Sequence, residues 1–150
     1  MKLRIPPIVS MLIFGLGMYL LFKFLPFGYF DFYGRMLLAK ILAGVIVFVL
    51  LASTFQFLKA KTTIDPLKPE KATILVTSGI YKYTRNPMYL AMLLLLLAWG
   101  LYLGNAFNIL LAAGFVSFMN AYQIRIEEVV LSKKFGKEYT LYCKKVRRWF

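Results

Sequence analysis

The stretch Met88–Ile124, MYLAMLLLLLAWGLYLGNAFNILLAAGFVSFMNAYQI, runs for 37 residues without a charge. A bilayer is crossed by roughly 20 helical residues, so this run is too long for one crossing. Gly104-Asn105 divides it, because that dipeptide is a turn signal inside a helical pattern. The reading is a tight helical hairpin, Met88–Leu103 and Ala106–Ile124. The first arm is short, about 24 Å at ~1.5 Å per residue. It therefore begins before Met88, tilts little, or lies beside a thinned or hydrated region.

Two further apolar runs precede the hairpin. Ile8–Leu25 carries one charge, Lys23, near its end, and Met36–Leu58 carries only Lys40, near its start. The 150 residues are 61% apolar with a mean hydropathy of +0.69. A soluble fold this small exposes much of its surface and needs more polar residues to cover it. The expected fold is all-α and polytopic: one domain over 1–150, with four transmembrane helices (8–25, 36–58, 88–103, 106–124) and a cytoplasmic interfacial helix at the carboxyl end.

Nineteen Lys and Arg stand against six Asp and Glu, a net charge of +13. The cations fall in blocks between apolar runs, as in a membrane protein whose loops meet anionic lipid, and not as in a nucleic-acid-binding surface. Lys2 and Arg4 open the chain; six cations lie between Lys59 and Arg85, against Asp65 and Glu70; eight follow from Arg125, against Glu127, Glu128 and Glu138. The other side keeps Lys23, Arg35, Lys40 and Asp31, and the Gly104-Asn105 turn is uncharged. Four crossings with both termini in the cytoplasm place every loop on its preferred side, which makes the chain an integral membrane protein of a cell membrane or endomembrane. Lys2 and Arg4 ahead of an apolar run also describe a signal peptide. No small-x-small cleavage pattern follows, so the first run is expected to stay.

Beyond the hairpin, Ile124, Leu131, Phe135, Tyr139, Tyr142, Val146 and Trp149 line one face of a helix, with Gly136 as a kink or break. Lys133, Lys134, Lys137, Lys144, Lys145, Arg147 and Arg148 fill much of the rest. That pattern describes an amphipathic helix on the membrane surface, apolar face down. Between the second and third crossings, Thr62–Pro87 is polar and holds Pro66, Pro69, Gly79 and Pro87; Ile74–Thr77 reads as a short extended or re-entrant piece.

The chain contains no histidine, which removes His-based acid–base chemistry, His-ligated metals and His-containing triads. No metal site is expected. The lone Cys143 permits no internal disulfide and reads as a bystander thiol beside Lys144 and Lys145. Two polar clusters remain at the membrane edge, where such groups are costly. The first is Gly79-Ile80-Tyr81-Lys82-Tyr83-Thr84-Arg85-Asn86-Pro87-Met88-Tyr89-Leu90. Pro87 suits a first helical turn, Asn86 stands at the capping position, and Arg85 meets a nearby anion. The second is Arg125-Ile126-Glu127-Glu128, whose adjacent carboxylates repel each other; a bound cation or ribose diol relieves them, as would solvent, Arg125 or Lys133. The hairpin returns Glu127 and Glu128 to the membrane face that holds Arg85 and Asn86. Such a site suits a ligand carrying a cation, a carboxylate and a ribose.

These two blocks, with the tail pattern Leu131-x-x-x-Phe135-Gly136-x-x-Tyr139-x-x-Tyr142-x-x-x-Val146-x-Arg148, resemble the isoprenylcysteine carboxyl methyltransferase and phospholipid methyltransferase superfamily. The resemblance covers Thr77–Trp149. It implies an integral-membrane methyltransferase that uses S-adenosylmethionine, with a lipid-like or small hydrophobic acceptor drawn from the bilayer. Carried over, Tyr83, Arg85, Asn86, Pro87, Tyr89 and Leu90 form one wall of the cofactor site, Glu127 and Glu128 the other, and the tail folds over it. The isoprenylcysteine enzymes commonly have His where this chain has Asn86, a departure that bears on the acceptor. No glycine-rich loop of a soluble Rossmann-like methyltransferase is present. Two other readings compete: an NADPH-dependent reductase of the related sterol-reductase type, and a small four-helix transporter. The transporter reading lacks an acidic residue inside any apolar run.

Overall fold

The computed structural model describes residues 5–25, 27–60 and 72–150. Lys2, Arg4, Pro26 and the linker residues Lys61, Asp65, Pro66, Lys68, Pro69, Glu70 and Lys71 lie outside the described residues. Helices α1 (Pro7–Phe24), α2 (Arg35–Ala60) and α3 (Pro87–Leu103) are followed by α4 (Asn108–Met119), a π-helical turn (Asn120–Ile124) and α5 (Arg125–Lys145). A short 3₁₀ turn, Gly79–Lys82, precedes α3. Among the described residues β-pairing amounts to one isolated bridge, Tyr29 to Asn105.

Helices α1, α2 and the rod formed by α4, the π turn and α5 are long and apolar enough to cross a membrane; α3 is apolar and shorter, at 17 residues. Their outward faces are bare. Ile8, Leu12 and Leu16 on α1, and Leu37, Phe48 and Leu51 on α2, are exposed, a surface that suits lipid and no aqueous solvent. The core gathers between α1, α3 and α4 around Met18, Leu93, Leu96, Phe115 and Met119. Ile46 and Val49 of α2 close on Ala91 of α3.

The hairpin turn forms where the sequence divides. Gly104 ends α3 in the left-handed region (φ 68°), its N–H returning to the Gly100 carbonyl at 3.0 Å. That conformation favours glycine, and a Cβ there would sit 3.1 Å from the Phe30 carbonyl oxygen and displace the end of the Arg35 side chain. The loop between α1 and α2 fastens this turn: Phe30 N–H donates to the Gly104 carbonyl and Ala106 N–H to the Gly28 carbonyl, at 2.9 and 2.8 Å. Asn105 adds a side-chain bond to the Phe27 carbonyl.

Two features differ from the sequence reading. The helix after the hairpin does not stop at Ile124; it continues through the π turn into α5, because backbone hydrogen bonding is indifferent to the change from apolar to charged side chains. Its break comes at Gly136 (φ 51°, ψ −120°). Part of the apolar face of the tail is covered by protein. Tyr139, Tyr142 and Val146 pack on Tyr81, with Leu75, Val76 and Phe57 alongside.

Candidate functional site

At the α3 start, opposite the Gly104 turn, lies a cavity of about 900 Å³, open space at its mouth included. Segment 72–76, Phe57 of α2 and the Leu131 and Phe135 side chains of α5 make an apolar wall. The polar wall is Arg85, Asn86, Tyr89, Glu127 and Glu128. Pro87 lines the cavity as well. Tyr83 and Leu90 do not: Tyr83 is 77% exposed, because the 3₁₀ turn points Tyr81 inward and leaves residue 83 outside.

Each carboxylate has its own partners. Tyr89 donates its hydroxyl to Glu127 Oε1 at 2.5 Å, and Gln123 donates its amide to the same oxygen. The wider π turn takes up an extra residue, which keeps Met119 in the core while Gln123 and Glu127, one turn apart, both face Tyr89. Glu128 receives Arg85 Nη1 at 3.0 Å and a two-pronged bond from Arg148, Nε to Oε1 at 2.9 Å and Nη2 to Oε2 at 2.6 Å. The expected repulsion within the pair is thus relieved by the chain, through Tyr89, Gln123, Arg85 and Arg148. Bonding to Glu128 raises the Arg148 pKa further above its already high ordinary value. Arg85 also donates to Cys143 Sγ at 2.6 Å, while its Nε is buried with no hydrogen-bond partner among the described residues. Cys143 therefore sits against a site residue.

Asn86 occupies the capping position of α3, but its side chain makes no capping bond. Its amide donates instead to the Arg148 carbonyl at 2.9 Å. Thr84 Oγ1 donates to the same carbonyl at 3.1 Å, and Arg85 N–H to the Arg147 carbonyl at 3.0 Å. Residues 146–149 are thereby strapped across the turn that carries Arg85. Trp149 secures the far end through its indole N–H to Asn120 Oδ1. Below, Tyr142 donates its hydroxyl to the Tyr81 carbonyl at 2.7 Å. Burial pushes the Tyr81 phenol well above its ordinary pKa, and Tyr142 adds to the shift.

Sequence reading missed Gln123, Phe57, the Arg148 bond to Glu128 and the Arg85 contact with Cys143. A glutamine four residues before a glutamate was a readable signal for the first. Nothing local announced the others.

A family model for phospholipid methyltransferase matches residues 35–138. The chain belongs to the phospholipid methyltransferase family. As a member it is a membrane methyltransferase, and its long apolar helices make it an integral membrane protein. An "Uncharacterized protein" of Haemophilus influenzae is 52% identical over 62 residues, 41% of this chain and 98% of that one. The "Protein-S-isoprenylcysteine O-methyltransferase" of Schizosaccharomyces pombe is 37% identical over 79 residues, 53% of this chain. The match spans 34% of the length of that relative. No solved structure matches.

Proposed function

We propose that the cavity binds S-adenosylmethionine and that the protein transfers its methyl group to a lipid-like or small hydrophobic acceptor. The observation that carries this reading is one guanidinium and two carboxylates, independently braced, on one wall of an otherwise apolar cavity. The residues fit the cofactor. Arg85, with a buried Nε still lacking an acceptor, would hold its carboxylate. Glu127 and Glu128 would take its ammonium group or ribose hydroxyls, and the tyrosine rings suit a sulfonium cation. When bound, the cofactor supplies an electrophilic methyl group.

The chain contributes alignment and dryness. Holding two reactants in line removes on the order of 7–11 kcal/mol from a barrier in favourable cases. Phe57, Leu131 and Phe135 exclude water from the side on which an apolar acceptor enters. An isoprenylcysteine carboxylate needs no base; a phospholipid amine or a thiol must lose a proton. Glu127, Glu128, Tyr89 or water would take it. In this reading both termini and the cavity mouth face the cytoplasm.

Calorimetric binding of S-adenosylhomocysteine to the solubilised protein tests the assignment, with NADPH alongside. Micromolar affinity, lost in Glu127→Ala/Glu128→Ala, is the expected result. A folded sample in nanodiscs that ignores S-adenosylhomocysteine and binds NADPH would make the protein a reductase instead.

A further inference from the structure

The last element of the tail pattern, Arg148, does not line the cavity, yet its side chain closes on a residue that does. We propose that Arg148 is a positioning residue that acts through Glu128, fixing that carboxylate, and with it the Arg85 guanidinium, in the geometry that receives the cofactor. This rests on the cofactor reading above.

An ionised carboxylate has about four lone-pair positions. Arg148 Nε and Arg85 Nη1 both reach Oε1, and Arg148 Nη2 reaches Oε2. The fork fills one position on each oxygen and Arg85 stands against Oε1 as an ion pair, so the direction in which Glu128 can receive a ligand is set by the guanidinium fork. Remove the fork, and Arg85 is the cation that remains on Glu128. The carboxylate is then free to turn about its side-chain bonds and to claim more of Arg85, the group aimed at the ligand. The bond stabilises the fold little, since the Arg148 side chain is 40% exposed and exposed ion pairs contribute little. Its effect is on orientation.

Side chain and main chain of this residue do separate work. The strap is held by the Arg147 and Arg148 carbonyls, which accept from Arg85 N–H, Thr84 and Asn86. Substituting the Arg148 side chain leaves those bonds in place, so a positioning effect can be read apart from a folding effect.

The test is the affinity for S-adenosylhomocysteine of Arg148→Lys, Arg148→Ala and Arg148→Glu in nanodiscs, with Arg148→Ala repeated in a Glu128→Gln background. Arg148→Ala is expected to weaken binding roughly tenfold, as loss of a charge-assisted bond does. Lysine falls between arginine and alanine, and glutamate, which repels Glu128, falls below alanine. In the Glu128→Gln background the same alanine substitution changes affinity by less than about twofold, because the partner through which it acts is gone. Unfolding temperatures stay close to that of the parent. Wild-type affinity in Arg148→Ala, or an equal loss in both backgrounds, overturns the proposal. Should Glu128→Gln bind too weakly to measure, the order lysine, alanine, glutamate decides, and equal affinities overturn it. A folded wild-type protein that does not bind S-adenosylhomocysteine overturns the cofactor reading and this assignment together.

Discussion

On Glu128 a two-pronged bond from Arg148 and an ion pair with Arg85 converge, and each comes from a residue outside its own helical turn. Arg85 is plain in the sequence as a cation beside a helix start. Arg148 is not, because it lies 20 residues away, beyond a glycine whose backbone angles no pattern of apolar residues dictates. Asn86 makes the opposite point. Its local signal was a capping residue, and a carbonyl 62 residues distant won its amide. Asn86→Ala leaves that carbonyl with the Thr84 bond and is expected to cost about 1 kcal/mol, read from the unfolding midpoint in detergent. Tyr81 gives a pH dependence whose sign is fixed. Burial raises its pKa in the folded protein, so above about pH 10 the unfolded chain ionises this phenol while the folded one keeps it neutral. Its contribution is complete below that pH and lost as pH rises. Melting temperatures from pH 8.5 to 11 should therefore fall more gently in Tyr81→Phe than in the parent, and parallel slopes would contradict this.

Among the elements, the hairpin was legible and the rod was not. A charge-free run with one Gly-Asn pair leaves few alternatives to two crossings. At Ile124, by contrast, composition changes abruptly while the helix runs on through a wider turn, and composition is what sequence reading sees. The tail face was identified as apolar, correctly, but periodicity cannot distinguish a lipid surface from the ring of Tyr81. Gly136 can be tested at this scale. Its φ of 51° with ψ of −120° is open to glycine and strained for other residues, and no atom crowds the position. Gly136→Ala should cost about 1–3 kcal/mol of backbone strain and loosen the tail from Tyr81. Faster tryptic cleavage at Lys137 would report it; unchanged cleavage and melting would show that the break tolerates a side chain.

Across the whole molecule, polar chemistry sits at one end and a neutral turn at the other. Lys82, Lys133, Lys137, Lys144, Lys145 and Arg147 are exposed around the end that holds the cavity. The far end has Arg35 paired with Asp31 at 3.0 Å. That asymmetry predicts the cavity end inside. In a Cys143→Ser background, cysteine placed at the fully exposed Tyr33 should react with an impermeant maleimide from outside intact cells, and protection there would invert the topology. The contacts that close the cavity have a further property. Thr84, Asn86, Arg85 and Tyr142 reach partners 58 to 64 residues away, whereas the α3–α4 turn is local. Long closures are entropically slow and follow short ones. The pocket therefore needs segments that are far apart in the chain, and a half-inserted chain has none. A compound seated there recognises only finished protein. At a hundredfold excess over its dissociation constant it adds about 2.7 kcal/mol to the folded state, which makes any such compound a folding aid as well as a ligand.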